Sequence, residues 1–144
     1  MPFELARDRR AALAVDDGTR RRSFGELEDR ITRFASFLRH DAGLAPGSHL
    51  ALLMGNRVEG IELLLGGIFA GLWVTPINWH LAEEEIAYVV GDSGTRLLVT
   101  DDRFAPLARR VAAMHPGVRV LEAGPELDGI LDAVHPWPID PAGP

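Results

Sequence analysis

The stretch PGSHLALLMGNRVEGIELLLGGIFAGLWVTPINWHLAEEEIAYVVGD, Pro46 to Asp92, reads as strand, helix, strand, loop, helix. The apolar run His49 to Met54 has the length of a strand and stops at Gly55-Asn56, a turn dipeptide. Asn56 with Glu59 three residues later has the spacing of a capping box. The following helix repeats Val58, Ile61, Leu65, Ile68 and Leu72 at helical spacing, widened by Leu64 and Phe69, so that stripe is expected to bury against a sheet. Gly66, Gly67 and Gly71 are expected to let the helix lie close to a neighbour. Trp73 to Ile77 is a second short strand, with Trp73 read as core. A helix between two strands implies a parallel crossover.

The flanking segments continue the alternation. Upstream, Ala11 to Val15 runs into Asp16-Asp17-Gly18, a hairpin signal, and Thr19 to Arg22 is a polar return strand. Ser23 with Glu26 forms an S-x-x-E box at the start of a helix whose Phe24, Leu27, Ile31, Phe34 and Leu38 face inward. Gly43 and Pro46-Gly47 turn the chain toward the first core strand. Downstream, Glu83, Glu84 and Glu85 place negative charge at a helix start, and Ile86, Val89 and Val90 form its inner side. Arg96 to Thr100 is a third core strand. Asp101-Asp102 opens a helix with Phe104, Leu107, Ala108 and Val111 inward, and Val118 to Leu121 is a fourth strand.

This pattern predicts a three-layer α/β domain with a mainly parallel sheet flanked by helices, plus a small N-terminal hairpin. The predicted domain covers residues 1–123. The tail 124–144 holds Pro125, Pro136, Pro138, Pro141 and Pro144 around one short helical candidate, Leu127 to Val134, and is expected to be a proline-rich linker leading away toward a further region.

Composition limits the function. With 144 residues, 47% hydrophobic and 25% charged, the chain can bury one core. A formal charge of -6 argues against general nucleic-acid binding, which needs a basic face. The chain has no cysteine, so thiolate nucleophiles, thiolate metal sites and disulfides are excluded within it, in keeping with an expected cytoplasmic location. All fifteen basic side chains are arginine, which excludes a Schiff-base, general-base or phosphate-loop lysine within these residues. The most apolar segment, Leu63 to Ile77, is too short for a membrane span, and no transmembrane segment is expected.

No G-x-G-x-x-G, Walker-type loop, H-E-x-x-H or G-x-S-x-G motif is present. The Gly55-Asn56-Arg57 turn lies between a strand end and a helix start, where open α/β sheets bind ligands. It is read as a plain helix cap, with an anion or nucleotide site at the Asn56 helix N-terminus kept as an alternative. His40, His49, His115 and His135 lack ligand spacing, and no metal site and no catalytic residue is assigned.

Several segments together carry a resemblance: Ser23-Phe24-Gly25-Glu26-Leu27, Gly55-Asn56 with its apolar helix, Pro76-Ile77-Asn78-Trp79-His80-Leu81, Glu84-Glu85-Ile86 and Gly91-Asp92-Ser93. In order and spacing over about residues 10–123 the chain resembles the amino-terminal subdomain of acyl-CoA synthetases, within the AMP-binding, adenylate-forming superfamily. The resemblance implies a parent reaction in which a carboxylic acid, expected to be fatty, attacks ATP to give an acyl-adenylate, after which the thiol of coenzyme A displaces AMP. It implies ATP, Mg²⁺ and coenzyme A for a full-length enzyme and none of them for residues 1–144 alone, which are expected to be inactive. In relatives the loop matching Pro76–Leu81 often reads Pro-x-Asn-Pro-Arg-Leu, and in some its arginine approaches the coenzyme A phosphates. That position is His80 here, and Trp79 replaces the proline. His80 is therefore either a phosphate contact or an exposed loop residue, and Asn78 is expected to support the loop through side chain to backbone bonds. The implied partners are the remaining subdomains of such an enzyme, with a homodimer or non-catalytic interaction module as the other reading.

Overall fold

The computed structural model describes residues 7–138. After a single 3-10 turn at Arg7–Arg9, β1 (Leu13–Asp16) and β2 (Arg21–Ser23) form an antiparallel hairpin. Its turn is held by carboxylates: Asp16 Oδ1 accepts from Gly18 N–H, and Asp17 Oδ1 accepts from Thr19 N–H and Arg20 N–H. Gly18 sits at φ 88°, a conformation that favours glycine. Ser23 then caps α1 (Phe24–Ser36) with the reciprocal bonds the sequence predicts. Ser23 Oγ accepts from Glu26 N–H at 3.2 Å, and Glu26 Oε2 accepts from Ser23 N–H at 2.7 Å. A π-helical turn, Phe37–Asp41, extends α1 and buries Phe37 and Leu38.

From there strands and helices alternate: β3 (His49–Leu53), α2 (Val58–Phe69), β4 (Trp73–Pro76), α3 (Glu83–Asp92), β5 (Thr95–Thr100), α4 (Ala105–Ala113), β6 (Arg119–Glu122) and α5 (Pro125–Ala133). The four strands β3 to β6 make one parallel sheet in the order β4-β3-β5-β6. Alternate side chains of the central strands go to opposite faces, so β3 and β5 are apolar on both sides. Leu50, Leu52, Leu97 and Val99 join Phe34, Leu38, Leu63, Leu127 and Leu131 in one core. Ala51, Leu53 and Leu98 join Ile77, Ile86, Val90, Ala108 and Val111 in the other. The result is the three-layer α/β fold with an N-terminal hairpin that the sequence predicts.

Three expectations about burial and the tail are corrected. First, α2 does not bury its apolar stripe. Its buried residues are Val58, Glu59, Glu62, Leu63, Gly66 and Gly67, while Ile61 and Ile68 are 40% and 56% exposed. The cause is electrostatic: both carboxylates are held inside by arginines from other elements. Arg22 and Arg30 reach the two oxygens of Glu62 at 2.8 and 2.7 Å, and Arg20 and Arg57 reach Glu59. Both oxygens of Glu62 are engaged in this way, whereas Glu59 is paired through Oε1 alone and its buried Oε2 has no hydrogen-bond partner among the described residues. Burial alone would lower the affinity of Arg30 for its proton, but the Glu62 and Asp128 carboxylates beside it raise its pKa.

Second, Trp73 is 67% exposed. It starts β4, an edge strand, and its ring faces His49 at 6.5 Å between centroids. Third, the described part of the tail does not leave the core at residue 124. Pro125 occupies the first turn of α5, a position proline favours because its missing N–H costs nothing there. Leu127 and Leu131 are buried in the α1 side of the core. Arg33 Nη1 donates to the carbonyls of Leu131 and Val134 at 3.1 and 2.7 Å, and Trp137 N–H donates to Thr32 O at 3.0 Å. Residues 139–144, with Pro141 and Pro144, lie outside the described residues.

The glycines of α2 are packing devices, each for a different neighbour. A Cβ on Gly66 would lie 2.8 Å from Phe34 Cδ1 and 3.1 Å from the Ile31 carbonyl oxygen, and one on Gly67 would lie 2.6 Å from Val74 Cγ2. Gly71 belongs to the turn before β4, at φ 83°.

Candidate functional site at the carboxyl ends of the strands

The chain passes from β3 to β4 on one side and then crosses back over β3 to β5, so the strand order reverses between β3 and β5. Loops diverge at such a point, and open α/β sheets commonly bind ligands there. Here the chain's own side chains occupy it. Asp101, 2% exposed, accepts from Gly55 N–H at 2.9 Å through Oδ2 and from Phe104 N–H at 3.1 Å through Oδ1. It thereby ties the loop after β3 to the entrance of α4. Arg57 reaches Asp102 and Glu59, both at 3.1 Å.

The expected Asn56–Glu59 capping box is absent. Arg57 is the N-cap of α2 and makes no side-chain cap bond, and Asn56 is exposed. The helix is capped from 41 residues away, by Asp17 Oδ2 accepting from Val58 N–H at 2.8 Å. Asp17 works in two places, since its other oxygen closes the hairpin turn. Backbone donation from Arg20, then from Val58 and Thr19, holds its pKa down at about 2 against the ordinary 3.8. The helix N-terminus that was the alternative anion site thus already holds a carboxylate. A triphosphate at the switch point would meet the exposed carboxylates of Asp17 and Asp102, with Arg57 already engaged by Asp102 and Glu59, so the described residues do not fit ATP there. Among the described residues no group of three or more His, Asp or Glu side chains is arranged to hold a metal ion.

Beside the switch point lies an open cleft of about 510 Å³. Met54, Ile61 and Leu64 form one wall, and Pro76, Asn78 and Trp79 another. Asn78 Oδ1 accepts from His80 N–H at 3.0 Å, an Asx turn that shapes the loop after β4. His80 is exposed, and its ring stacks on the Trp79 indole with centroids 3.7 Å apart and planes 25° apart. The indole also approaches Phe104 at 5.3 Å, and the Arg103 guanidinium lies 4.6 Å from its centroid. The structure thus joins the two sequence candidates, Asn78 and His80, to Arg103, which no motif or spacing singled out. The other histidines stand apart: His40 stacks on Trp137 at 5.0 Å, His115 Nε2 pairs with the Ala87 carbonyl oxygen at 2.7 Å, and His135 is exposed.

A profile of the family described as AMP-binding enzyme matches residues 3–137 of this chain. The chain belongs to that family. Among similar members is the fatty acid–[acyl-carrier-protein] ligase ScoC of Streptomyces coeruleorubidus, 35% identical over 94 residues, which make up 65% of this chain and 18% of that protein. A benzoate CoA ligase structure from Burkholderia xenovorans LB400 superposes with a TM-score of 0.88 at 26% identity, covering 99% of this chain and 29% of the other. The N-terminal domain of FACL13 from Mycobacterium tuberculosis gives a TM-score of 0.81 at 26% identity over 95% of this chain and 36% of that one. The sequence therefore spans about a fifth to a third of these three proteins. No helix among the described residues is long and apolar enough to cross a membrane.

Proposed function

We propose that this chain supplies the amino-terminal scaffold of a cytoplasmic ligase that activates a carboxylic acid with ATP and passes the acyl group to a thiol. The observation that carries this reading is the family match over residues 3–137, joined to a fold that follows 29% of a benzoate CoA ligase at a TM-score of 0.88. Relatives named for a fatty acid, for benzoate and for oxalate are all similar to the chain, so the acid is assigned only as a carboxylic acid. The fatty acid expected from the sequence is one case of it. The role of these residues is support. The sheet carries the Asn78–His80 loop at its edge, with Asn78 fixing the loop backbone and His80 offering a ring N–H donor to a phosphate of the thiol acceptor, coenzyme A in the first instance.

In this reading the exposed Ile61 and Ile68 on α2, the open edge of β4 and Trp73 form one surface that receives the rest of the ligase. Exposed apolar area of this kind marks an interface. Self-association through the same surface is the competing reading, and light scattering of the 144-residue chain across a concentration series separates the two.

The decisive assay is pyrophosphate release by residues 1–144 with ATP, Mg²⁺, coenzyme A and a panel of fatty and aromatic acids. No turnover above a protein-free control is expected. The support is chemical: an adenylating site needs cations to hold triphosphate, whereas the sequence contains no lysine and Arg57 at the switch point is already matched to carboxylates. Turnover by this chain alone would refute the scaffold role.

A further inference from the structure

We propose that the β1–β2 hairpin is a strap over the first turns of α2, fastened by charged side chains and built to lift while both apolar cores stay closed. The device belongs to the fold and is independent of the reaction proposed above.

The fastenings are polar. Asp17, at the hairpin tip, accepts from Val58 N–H through Oδ2 at 2.8 Å, Arg20 pairs with Glu59, and Arg22 pairs with Glu62 at 2.8 Å. Among the described residues neither apolar cluster takes in a residue of β1 or β2, and Leu13 is 50% exposed while Ala14 and Val15 are half-buried. Lifting the tip therefore uncovers little apolar surface, and buried apolar surface is what ties a segment to the stability of the whole domain. The root of the hairpin is tied to the start of α1 instead. Phe24 N–H donates to Ala12 O at 3.0 Å, and Gly25 N–H donates to Arg10 O at 2.9 Å.

Each buried carboxylate beneath the strap has two arginines, one from the strap and one from the body of the domain. Glu59 is reached by Arg20 and by Arg57, and Glu62 by Arg22 and by Arg30. Stripping a buried charge of its only partner is strongly destabilising. Here the departure of Arg20 and Arg22 leaves Arg57 and Arg30 in place, so both carboxylates stay paired in the open state. Opening also relieves a defect: Glu59 Oε2 is buried without a hydrogen-bond partner among the described residues, and lifting the strap gives it water. Both features lower the cost of opening.

The strap bears on the switch point. Closed, it sets the Asp17 carboxylate at the positive end of α2, next to Arg57 in the cleft wall. Open, it withdraws that negative charge and bares the Val58 N–H, for which the N-cap residue Arg57 supplies no side-chain bond.

Val58 is the reporter. It is the first residue of α2, so its N–H has no partner within the helix and takes its protection from Asp17. The experiment is native-state hydrogen–deuterium exchange of the 144-residue chain, read by NMR at urea concentrations below the unfolding transition. Val58 should be protected, yet exchange roughly a hundredfold faster than the amides of β3 and β5, as local openings do. Its rate should stay nearly flat in urea, because little surface is exposed, while the β3 and β5 rates climb. Arg22→Ala removes a contact made only in the closed state and should speed Val58 and the core amides alike, by about tenfold. Arg30→Ala should separate them. The core amides exchange faster because the fold is weakened, whereas Val58 does not, because Glu62 then depends on Arg22 and resists its release. Arg57→Gln poses the same question at Glu59 should Arg30→Ala not fold. A Val58 rate that matches β3 and β5 in size and urea slope shows that the hairpin leaves only when the whole domain unfolds, and overturns the proposal. Equal acceleration of Val58 and the core by Arg30→Ala overturns it too, as does a Val58 amide with no protection at all.

Discussion

Replacing Gly66 by alanine tests whether α1 and α2 touch as closely as described. In an unhindered helix interior the change should stabilise by about 1 kcal/mol, because glycine is the poorer helix former. At Gly66 the added Cβ would lie 2.8 Å from Phe34 Cδ1, 3.1 Å from Ile31 O and 3.2 Å from Phe34 Cβ. The Phe34 ring is fully buried, and the Ile31 oxygen belongs to the α1 backbone, so relief requires the two helices to separate. Overpacking of this kind costs about 1–3 kcal/mol, and with a backbone atom among the contacts the upper half of that range applies. Subtracting the propensity gain leaves a net loss of about 1–2 kcal/mol. For a chain near this size that lowers Tm by roughly 2–8 °C. Gly129 in α5 is the internal control, since nothing lies within 4 Å of a Cβ placed there. Gly129→Ala should therefore raise stability by about 0.5–1 kcal/mol. Circular dichroism during thermal and urea unfolding of both variants measures the pair. If Gly66→Ala proves as stable as the parent while Gly129→Ala behaves as stated, the close approach of α1 and α2 is wrong.

Glu62→Ala removes the shared partner of Arg22 and Arg30, which approach its two oxygens at 2.8 and 2.7 Å. The loss should be about 3 kcal/mol, the low end for breaking a buried pair, because both arginine heads keep some contact with water. A urea midpoint within error of the parent would contradict the buried pairing. The Asp17 carboxyl, held at about 2 in the folded chain against 3.8, contributes stability that is full above the unfolded value and is lost as pH falls from about 3.8 to about 2. Asp17→Asn keeps an acceptor but cannot titrate, so its urea midpoint should fall less steeply than the parent's across that window. Parallel curves would show that the carboxylate is not linked to folding.

Much of the architecture was legible because local signals and burial agreed. The Ser23–Glu26 box, the apolar runs of β3 and β5, and the inward stripe of α1 all follow from period and capping alone. α2 was misread for a physical reason: the pattern rule takes apolar as inward, and Glu59 and Glu62 become inward residues only when arginines 32 to 40 residues earlier close on them. Their spacing of three, with Arg20, Arg22 and Arg30 upstream, was the available clue. The tail was misread because prolines were counted as linker composition, whereas Gly124-Pro125 is also a helix-start signal. In the candidate site, the Asn78 turn was readable from a local asparagine preference. The approach of Arg103 to Trp79 was not, since it depends on two loops meeting across the sheet edge.

The connection between α1 and α5 has a consequence for how the chain acquires its shape during synthesis. Arg30 and Arg33 leave the ribosome roughly a hundred residues before Asp128, Leu131 and Val134, the groups they bind. Until then Phe34, Leu38 and Leu63 lack the Leu127 and Leu131 side chains that complete their cluster. Until α5 is made, the apolar side chains of α1 and α2 stay uncovered on this side, beside two arginine heads that lack their α5 partners. Long-range closure of this kind is slow compared with hairpin or helix formation and is the step at which association with other chains competes. The nine residues of α5 act as a latch whose arrival covers this side of the core.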